Sequence, residues 1–536
     1  MKTFENTTFE AMPTTENRVQ LLEKENELLK IQNEALEAKV KFYEERFRLE
    51  QQKKYGSPSD QVHPEQMAFN EVEKLSAQPA EEPVIEVIEV KRRTGQSKAR
   101  RTYTDLPIEE VYYSLPDEDQ VCPECNHALH EMKTEIRKEL KIILPQVRVV
   151  HHIRQVYACR NCDDAYTETS KACSIIKAPM PNPVLPGSMV SPSLLAYIIE
   201  NKYNKALPLY RQEDAFVNFG IDISRQNMAG WVMKGADRWL KLIYGRLHHH
   251  LLQEDIIHAD ESSLQVLDEK TGSCYMWLYA SAATGKHQIK LYEYQPGRSQ
   301  KYPKAFLKGF GGFLQTDGYA GYNDVAGVTR VGCMAHARRK FTDALKALPK
   351  EADVSRTKAK EGLDFITDLY RLEKKYRRLK LDPAQRFEAR LEEAKPVLEK
   401  FRIWLGEQNP KALPKGKLGE AIKYTLNQWN QLEAYLQDGR IAIDNNLAER
   451  AIKPFVIGRK NFLFSKSPKG AFASAMCYSM TQTAKANGLI PFNYLEYLLE
   501  QLPNVDTENP DVLDALLPWS KSLPPEIRLN KPGENK

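Results

Sequence analysis

The stretch 254–322 constrains this chain more than any other, because its apolar residues there repeat with period two. EDIIHADESSLQVL, CYMWLYASA and HQIKLYEY alternate in this way, with turn signals between them at Asp268 to Gly272 and at Thr284-Gly285. Such alternation belongs to strands, whose successive side chains face opposite sides of a sheet. A helical stretch, KYPKAFLKGF, follows, and then the short apolar run GGFLQTDGYAGY. The predicted order is strand, strand, strand, helix, strand, with an acid closing the first strand (Asp260) and another closing the fourth (Asp317).

That order is the order of a ribonuclease-H-like core, in which the first and fourth strands are neighbours. The two carboxylates are then expected to face each other. An acid straight after an apolar strand is costly to bury unless a cation compensates it. Paired aspartates at adjoining strand ends form a hard-oxygen site suited to Mg2+ or Mn2+. A turn former or helix cap accounts for either acid taken alone. A third acid is expected from a nearby helix, and Glu449 in DGRIAIDNNLAERAIKPFVIGRKNFLF is the candidate. Asp444 reads as the N-cap of that helix, which places Glu449 in its second turn beside Arg450 and Lys453; an i,i+4 pair of Glu449 with Lys453 is the structural alternative. From Arg440 to Lys469 seven basic residues face two acids, the density that a site handling DNA phosphates needs. Three carboxylates holding two divalent ions can activate water or a 3′-hydroxyl for in-line attack on a phosphodiester, with no covalent enzyme intermediate. No G-x4-G-K-[ST] run occurs, so no ATP site is implied.

The rest of the chain reads as modules around this core, in a multidomain α+β protein. Residues 16–54 carry a heptad: Leu22, Leu29, Leu36 and Tyr43 repeat at one position, and Val19, Asn26, Asn33, Val40 and Phe47 at another. Leucine at d and asparagine at a are the pattern of a two-stranded coiled coil, so self-association is expected. Residues 55–116 form a linker with a basic run, KRRTGQSKARR, in which Lys91, Arg92, Arg93, Arg100 and Arg101 are candidate DNA contacts. Within 117–165, Cys122, Cys125, Cys159 and Cys162 make two C-x2-C knuckles and predict one structural zinc. The 33 residues between the knuckles exceed the usual spacer, yet alternate like strands. Either pair alone would also suit redox chemistry. Residues 185–250 are helical. A helix ending near Gly220, then Ser224 as N-cap with Arg225, Gln226 and Asn227 in the next first turn, has the outline of a helix-turn-helix. Core residues 251–345 and 436–500 flank a charged helical insertion, 346–435, which lies within the 131 residues separating Asp317 from Glu449. A tail, 501–536, completes the chain.

Length and composition exclude other classes. With 536 residues the chain should hold several structural units, and 42% hydrophobic residues suffice for a large core. A mean hydropathy of −0.56 argues against a membrane protein. The longest uncharged stretch, Ala178 to Ile199, carries five prolines, which no membrane helix would. The N-terminal residues show no apolar signal segment and eight cysteines are too few for a disulfide scaffold, so a cytoplasmic protein is expected.

These motifs together resemble the large transposase of the insertion sequence 66 family over nearly the whole chain. The resemblance rests on HADES with Asp260, LQTDGYAGY with Asp317, GCMAHARRKF (Gly332 to Phe341), DNNLAERAIKPFVIGRKNFLF with Glu449, and SPKGAFASAMCYSMTQTAKANGLIPFNYLEYLL. It implies a DDE recombinase that cuts the ends of its own element and joins them to target DNA, with Asp260, Asp317 and Glu449 as the metal-binding triad. It also implies a zinc-finger-like module, a bacterial host with the protein on the nucleoid when bound to DNA, and accessory proteins encoded by the element. Ser262 stands where the family usually has threonine, and GCMAH replaces the commoner tryptophan-containing form. His336, Arg338 and Arg339 are expected to approach DNA or the active site, and Arg459 and Lys460 to hold phosphates. A DNA-binding protein that kept the fold and lost catalysis, and a ribonuclease-H-type nuclease, are the alternative readings.

Overall fold

The computed structural model describes residues 26–27, 29–30, 32–33, 36–37, 39–48, 146–157, 176–270, 273–349 and 352–529. The chain divides into two compact units. One takes Met1–Pro79, Asn182–Gln212 and Ser224–Ile527, the other Ala80–Pro181, Glu213–Ile223 and Arg528–Lys536. In the latter, β1 (Val156–Tyr157) and β2 (Ile176–Lys177) form a short antiparallel pair. The four knuckle cysteines, the basic run 91–101 and the heptad residues Val19 and Leu22 lie outside the described residues. The described residues between 26 and 48 are helical, with Leu29, Leu36, Val40, Tyr43 and Phe47 exposed. Among the described residues no helix is long and apolar enough to cross a membrane.

The larger unit is mixed α/β and is organised by one sheet. Its strands are β3 (Ile256–Leu264), β4 (Cys274–Ser281), β5 (Lys290–Gln295), β6 (Phe313–Gln315) and β7 (Thr329–Val331), in the spatial order β5-β4-β3-β6-β7. Pairing is antiparallel on one side of β3 and parallel on the other. Antiparallel neighbours need only the short turns that the sequence signals between them. The return to a parallel β6 needs a crossover, supplied by α5 (Lys301–Phe306). Tyr279 of β4 stacks on Phe306 of that crossover at 3.8 Å. Gly312 permits the close approach that starts the parallel pair, since a β-carbon there would lie 2.2 Å from the Asp255 carbonyl.

Before the sheet come α1 (Pro192–Tyr203), α2 (Leu209–Val217), α3 (Arg225–Gly235) and α4 (Lys241–Leu251). Gly220 takes a positive φ of 75° after α2, and Ser224 caps α3 by accepting from the Asn227 N–H. A π-turn, Ala236–Leu240, joins α3 to α4. After β7 the chain is helical: α6 (Met334–Lys346), α7 (Lys358–Arg378), α8 (Pro383–Ala389), α9 (Lys395–Gln408), α10 (Lys417–Asn427) and α11 (Trp429–Glu433). These pack an apolar core in which Phe341, Phe365 and Phe401 meet edge and face.

The chain then returns to the sheet as α12 (Asn446–Phe462), α13 (Pro468–Ala486), α14 (Pro491–Gln501) and α15 (Pro510–Asp514). Helix α13 covers the free edge of β5. The Ser479 hydroxyl accepts the Tyr292 N–H at 2.8 Å, and the Thr483 hydroxyl accepts the Lys290 N–H at 3.0 Å. Edge donors that would otherwise invite another strand are thereby satisfied inside the chain.

Candidate active site

The parallel register of β3 with β6 sets two acids beside each other. Pairing runs Ile256↔Phe313, Ile257↔Leu314, His258↔Gln315. Asp260 and Asp317 each lie two residues beyond that last pair, Asp260 still within β3 and Asp317 in the turn that follows β6, and the charge of Asp317 acts on Asp260. Asp260 does not end its strand as the sequence suggests. β3 continues to Leu264, and Asp260 lies mid-strand, where pairing with β6 has stopped. Asp317 turns the chain by accepting the Tyr319 N–H at 2.9 Å. Burial pushes the Asp260 carboxyl well above its ordinary range, and the charges of Glu261, Asp317 and Glu449 push it further up.

Glu449 enters from α12, and its placement is built upstream of that helix. Gln315 donates to the Ala442 carbonyl at 2.7 Å, and the Met334 N–H donates to the Ile443 carbonyl at 3.1 Å. Asn445, 1% exposed, gives its backbone N–H to the Cys333 Sγ at 3.2 Å and its side-chain NH2 to the Ala259 carbonyl at 2.9 Å. The amide oxygen is left to face His258 Nδ1 at 2.9 Å, so His258 carries its proton on Nδ1. Burial lowers the His258 imidazole to about 4, which keeps the ring neutral. The sequence reading of this helix start needs correction. Asn445, not Asp444, occupies the cap position, without a side-chain cap bond, and Glu449 lies in the first turn. Asp444 instead accepts from Asn446 and from the Tyr370 hydroxyl. Burial raises the Glu449 carboxyl, opposed first by the charge of Arg339 and reinforced by those of Asp444 and Asp317.

A second acid on β3 points the other way. The Glu261 side chain is 2% exposed, held by Arg298 and by the Tyr322 hydroxyl at 2.6 Å. Arg298 in turn lies over the Tyr319 ring at 3.8 Å. Glu261, Arg298 and Tyr322 thus brace the turn that follows Asp317. Neither they nor the His258–Asn445 pair emerged from the sequence. A buried polar residue shows only as an interruption in an apolar run, and its partner lies far along the chain.

The candidate DNA contacts fall in separate places. Arg225, Gln226 and Asn227 are exposed in the first turn of α3. Arg338 lies over the Tyr370 ring at 5.3 Å, and Arg339 acts electrostatically on both Glu449 and His336. Arg450 and Lys460 are exposed on α12, and Lys453 is half-buried. Arg459 was expected to hold phosphates, but its guanidinium turns onto β3, donating to the Ser262 and Ser263 hydroxyls and the Ser263 carbonyl. The same guanidinium lines a cavity of about 620 Å³ with Leu264, Val266 and Leu463.

The donor set fits a hard divalent cation. Neighbouring carboxylates raise both Asp260 and Glu449, and a cation beside them reverses that cost. The Glu449 Oε1 is shielded from solvent without a hydrogen-bond partner, as a ligand oxygen awaiting an ion would be.

Residues 187–473 match the family described as Transposase IS66 family. The chain belongs to that family. Residues 119–163 match the zinc-finger binding domain of transposase IS66, and 479–519 match the IS66 C-terminal element. The family is one of insertion-sequence transposases, enzymes that process nucleic acid, and DNA binding goes with it. The zinc-finger match spans all four knuckle cysteines and supports a structural zinc. The chain is similar to two uncharacterized proteins of Sinorhizobium fredii (strain NBRC 101917 / NGR234). It is 30% identical to y4jD over 450 residues, 80% of this chain and 83% of that protein. It is 32% identical to y4qI over 433 residues, 77% and 75% respectively.

Proposed function

We propose that this transposase works by a DDE mechanism, cleaving DNA at the ends of its element and transferring the strands to target DNA. Asp260, Asp317 and Glu449 are the ligands of two Mg2+ or Mn2+ ions in a ribonuclease-H-like core. The observation that carries this reading is that Asp260 on β3, Asp317 just past the end of the parallel β6, and Glu449 on α12 bear on one another: the charges of both Asp317 and Glu449 act on Asp260. The sheet order, with β3 between an antiparallel and a parallel neighbour, supports the core assignment.

When bound, such ions supply a nucleophile at neutral pH and neutralise charge on the leaving oxygen. The chain's own residues set the geometry. The β3–β6 register fixes the aspartates, the Asn445 bonds to β3 hold the start of α12, and Glu261 with Arg298 and Tyr322 stiffens the turn after Asp317. Basic side chains around Glu449 (Arg339, Arg450, Lys453) favour approach of a phosphate backbone. Terminal inverted repeats are the substrate. The heptad at 16–54 joins two copies into a homodimer or larger synaptic complex, four cysteines hold one zinc, element-encoded accessory proteins assist, and the enzyme works on the bacterial nucleoid.

The test is Asp317→Asn. It is expected to abolish Mg2+-dependent cleavage of terminal-repeat DNA while leaving DNA affinity within a few-fold. Cleavage persisting in the variant removes Asp317 from the mechanism. Equal cleavage by the wild type of an RNA–DNA hybrid lacking end sequences would turn the reading toward a hybrid nuclease.

A further inference from the structure

We propose that His336 is a nitrogen ligand of the divalent ion held by Glu449, so that this ion position favours manganese-class ions over magnesium. The proposal rests on the active-site reading above and adds a donor to it. His336 Nδ1 lies 4.0 Å from Glu449 Oε1. Both atoms are shielded from solvent, and neither has a hydrogen-bond partner. Two electronegative atoms at that separation are too far apart to bond each other, and each is left with an unused lone pair or proton. A shared ion bound at about 2.1 Å to each ligand sets two donors roughly 3 to 4.2 Å apart, depending on whether they are adjacent or opposite. The observed gap falls inside that interval.

The gap is built by the backbone. His336 lies in the first turn of α6, whose cap residue is Cys333. The Met334 N–H donates to the Ile443 carbonyl and the Asn445 N–H to the Cys333 Sγ, so the N-termini of α6 and α12 are tied to each other. Among the described residues, Cys333, His336 and Glu449 form a group whose donor atoms all lie within 4.8 Å of one another. The Cys333 sulfur accepts the Asn445 N–H, and His336 Nδ1 is the partnerless nitrogen beside Glu449 Oε1 that an ion could share with it. The charge of Asp317 acts on both His336 and Glu449. Magnesium prefers an all-oxygen shell, whereas imidazole nitrogen is accepted more readily by transition ions, so this donor set shifts the balance away from Mg2+ toward transition ions, with Mn2+ as the probe.

The experiment loads the full-length, zinc-containing protein with Mn2+ and reads its pulsed electron paramagnetic resonance spectrum. Bound Mn2+ should show a 14N coupling from one imidazole. The coupling should vanish in His336→Asn and in His336→Gln, and the Mn2+ over Mg2+ affinity ratio should fall by about tenfold or more. Mn2+ that binds in a Glu449-dependent way without nitrogen coupling in the wild type overturns the proposal and leaves the carboxylate triad standing. Mn2+ binding that is absent, or indifferent to both Glu449→Gln and Asp260→Asn, overturns the triad and the proposal together.

Discussion

Removing one buried amide should displace the third acid. In Asn445→Ala the side chain loses its bonds to His258 Nδ1 and to the Ala259 carbonyl, each 2.9 Å long. Each is worth about 1 kcal/mol net, and a stranded buried donor costs about 1–3 kcal/mol. The His258 ring is 2% exposed, so no water replaces the amide oxygen, whereas the Ala259 carbonyl retains a second lone pair. The expected loss is about 2–4 kcal/mol, measured by urea unfolding. Catalysis should suffer beyond this, because Asn445 immediately precedes α12 and a shift of about 1 Å in a reacting group can cost roughly a hundredfold. Strand cleavage of terminal-repeat DNA, assayed at a temperature where the variant is fully folded, should therefore fall by about that factor. A variant destabilised by less than about 1 kcal/mol, or one cleaving within threefold of wild type, would refute the view that this amide sets the position of Glu449.

Arg390 and Glu293 give two further expectations. All five N–H groups of the fully buried Arg390 are engaged, by both Glu373 oxygens and by the carbonyls of Tyr435, Asp438 and Ile441. Arg390→Met should cost about 3–5 kcal/mol by stranding the Glu373 carboxylate, and a double-mutant cycle with Glu373→Gln should show strong coupling in denaturation, whereas additive single effects would contradict this. Burial raises the Glu293 carboxyl to about 7, with Oε2 lacking a partner, so the folded chain keeps a proton that the unfolded chain releases above about 4.5. Its contribution is then fully present below that pH and is lost as pH rises through 7. Glu293→Gln should be more stable than wild type by about 3 kcal/mol at pH 8 and equal to it near pH 4, and a wild type more stable at pH 8 would contradict the assignment.

The sheet was legible because strand periodicity and turn residues are local properties. The three alternating runs and the fourth short one appear as β3, β4, β5 and β6, although Asp260 lies inside β3 rather than at its end. What the sequence could not show is how polar groups are shared between distant segments. Asp444 looked like a cap because a short acidic side chain ahead of a helix often is one. Here the Asn445 side chain is drawn to His258, 187 residues away, and Asp444 is drawn to Tyr370. Arg459 is expected to hold phosphates because it follows the Glu449 helix; it lies instead within α12, with its guanidinium on Ser262 and Ser263 of β3. Arg390 lies in the charged insertion 346–435, where nothing in the sequence sets it apart from its neighbours. A π-turn, Arg390–Ala394, and five acceptors from elsewhere in the chain make it a buried clamp.

The helices between the two parts of the site therefore bear on where Glu449 stands. Arg390, at the π-turn between α8 and α9, grips the carbonyls of Tyr435, Asp438 and Ile441. The next residues are fixed one after another to different elements: Ala442 to β6, Ile443 to α6 and Asn445 to β3. Glu449 follows within one helical turn, too short a span for the backbone to wander once Asn445 is held. Like-charged carboxylates gathered in a poorly solvated place repel one another, so a third acid on a free segment would move away. The stapled run from Ile441 to Asn445 opposes that repulsion with hydrogen bonds, alongside the opposite charge of Arg339. In the proposed mechanism, this is what would hold Glu449 near the two aspartates with its oxygens free for a cation.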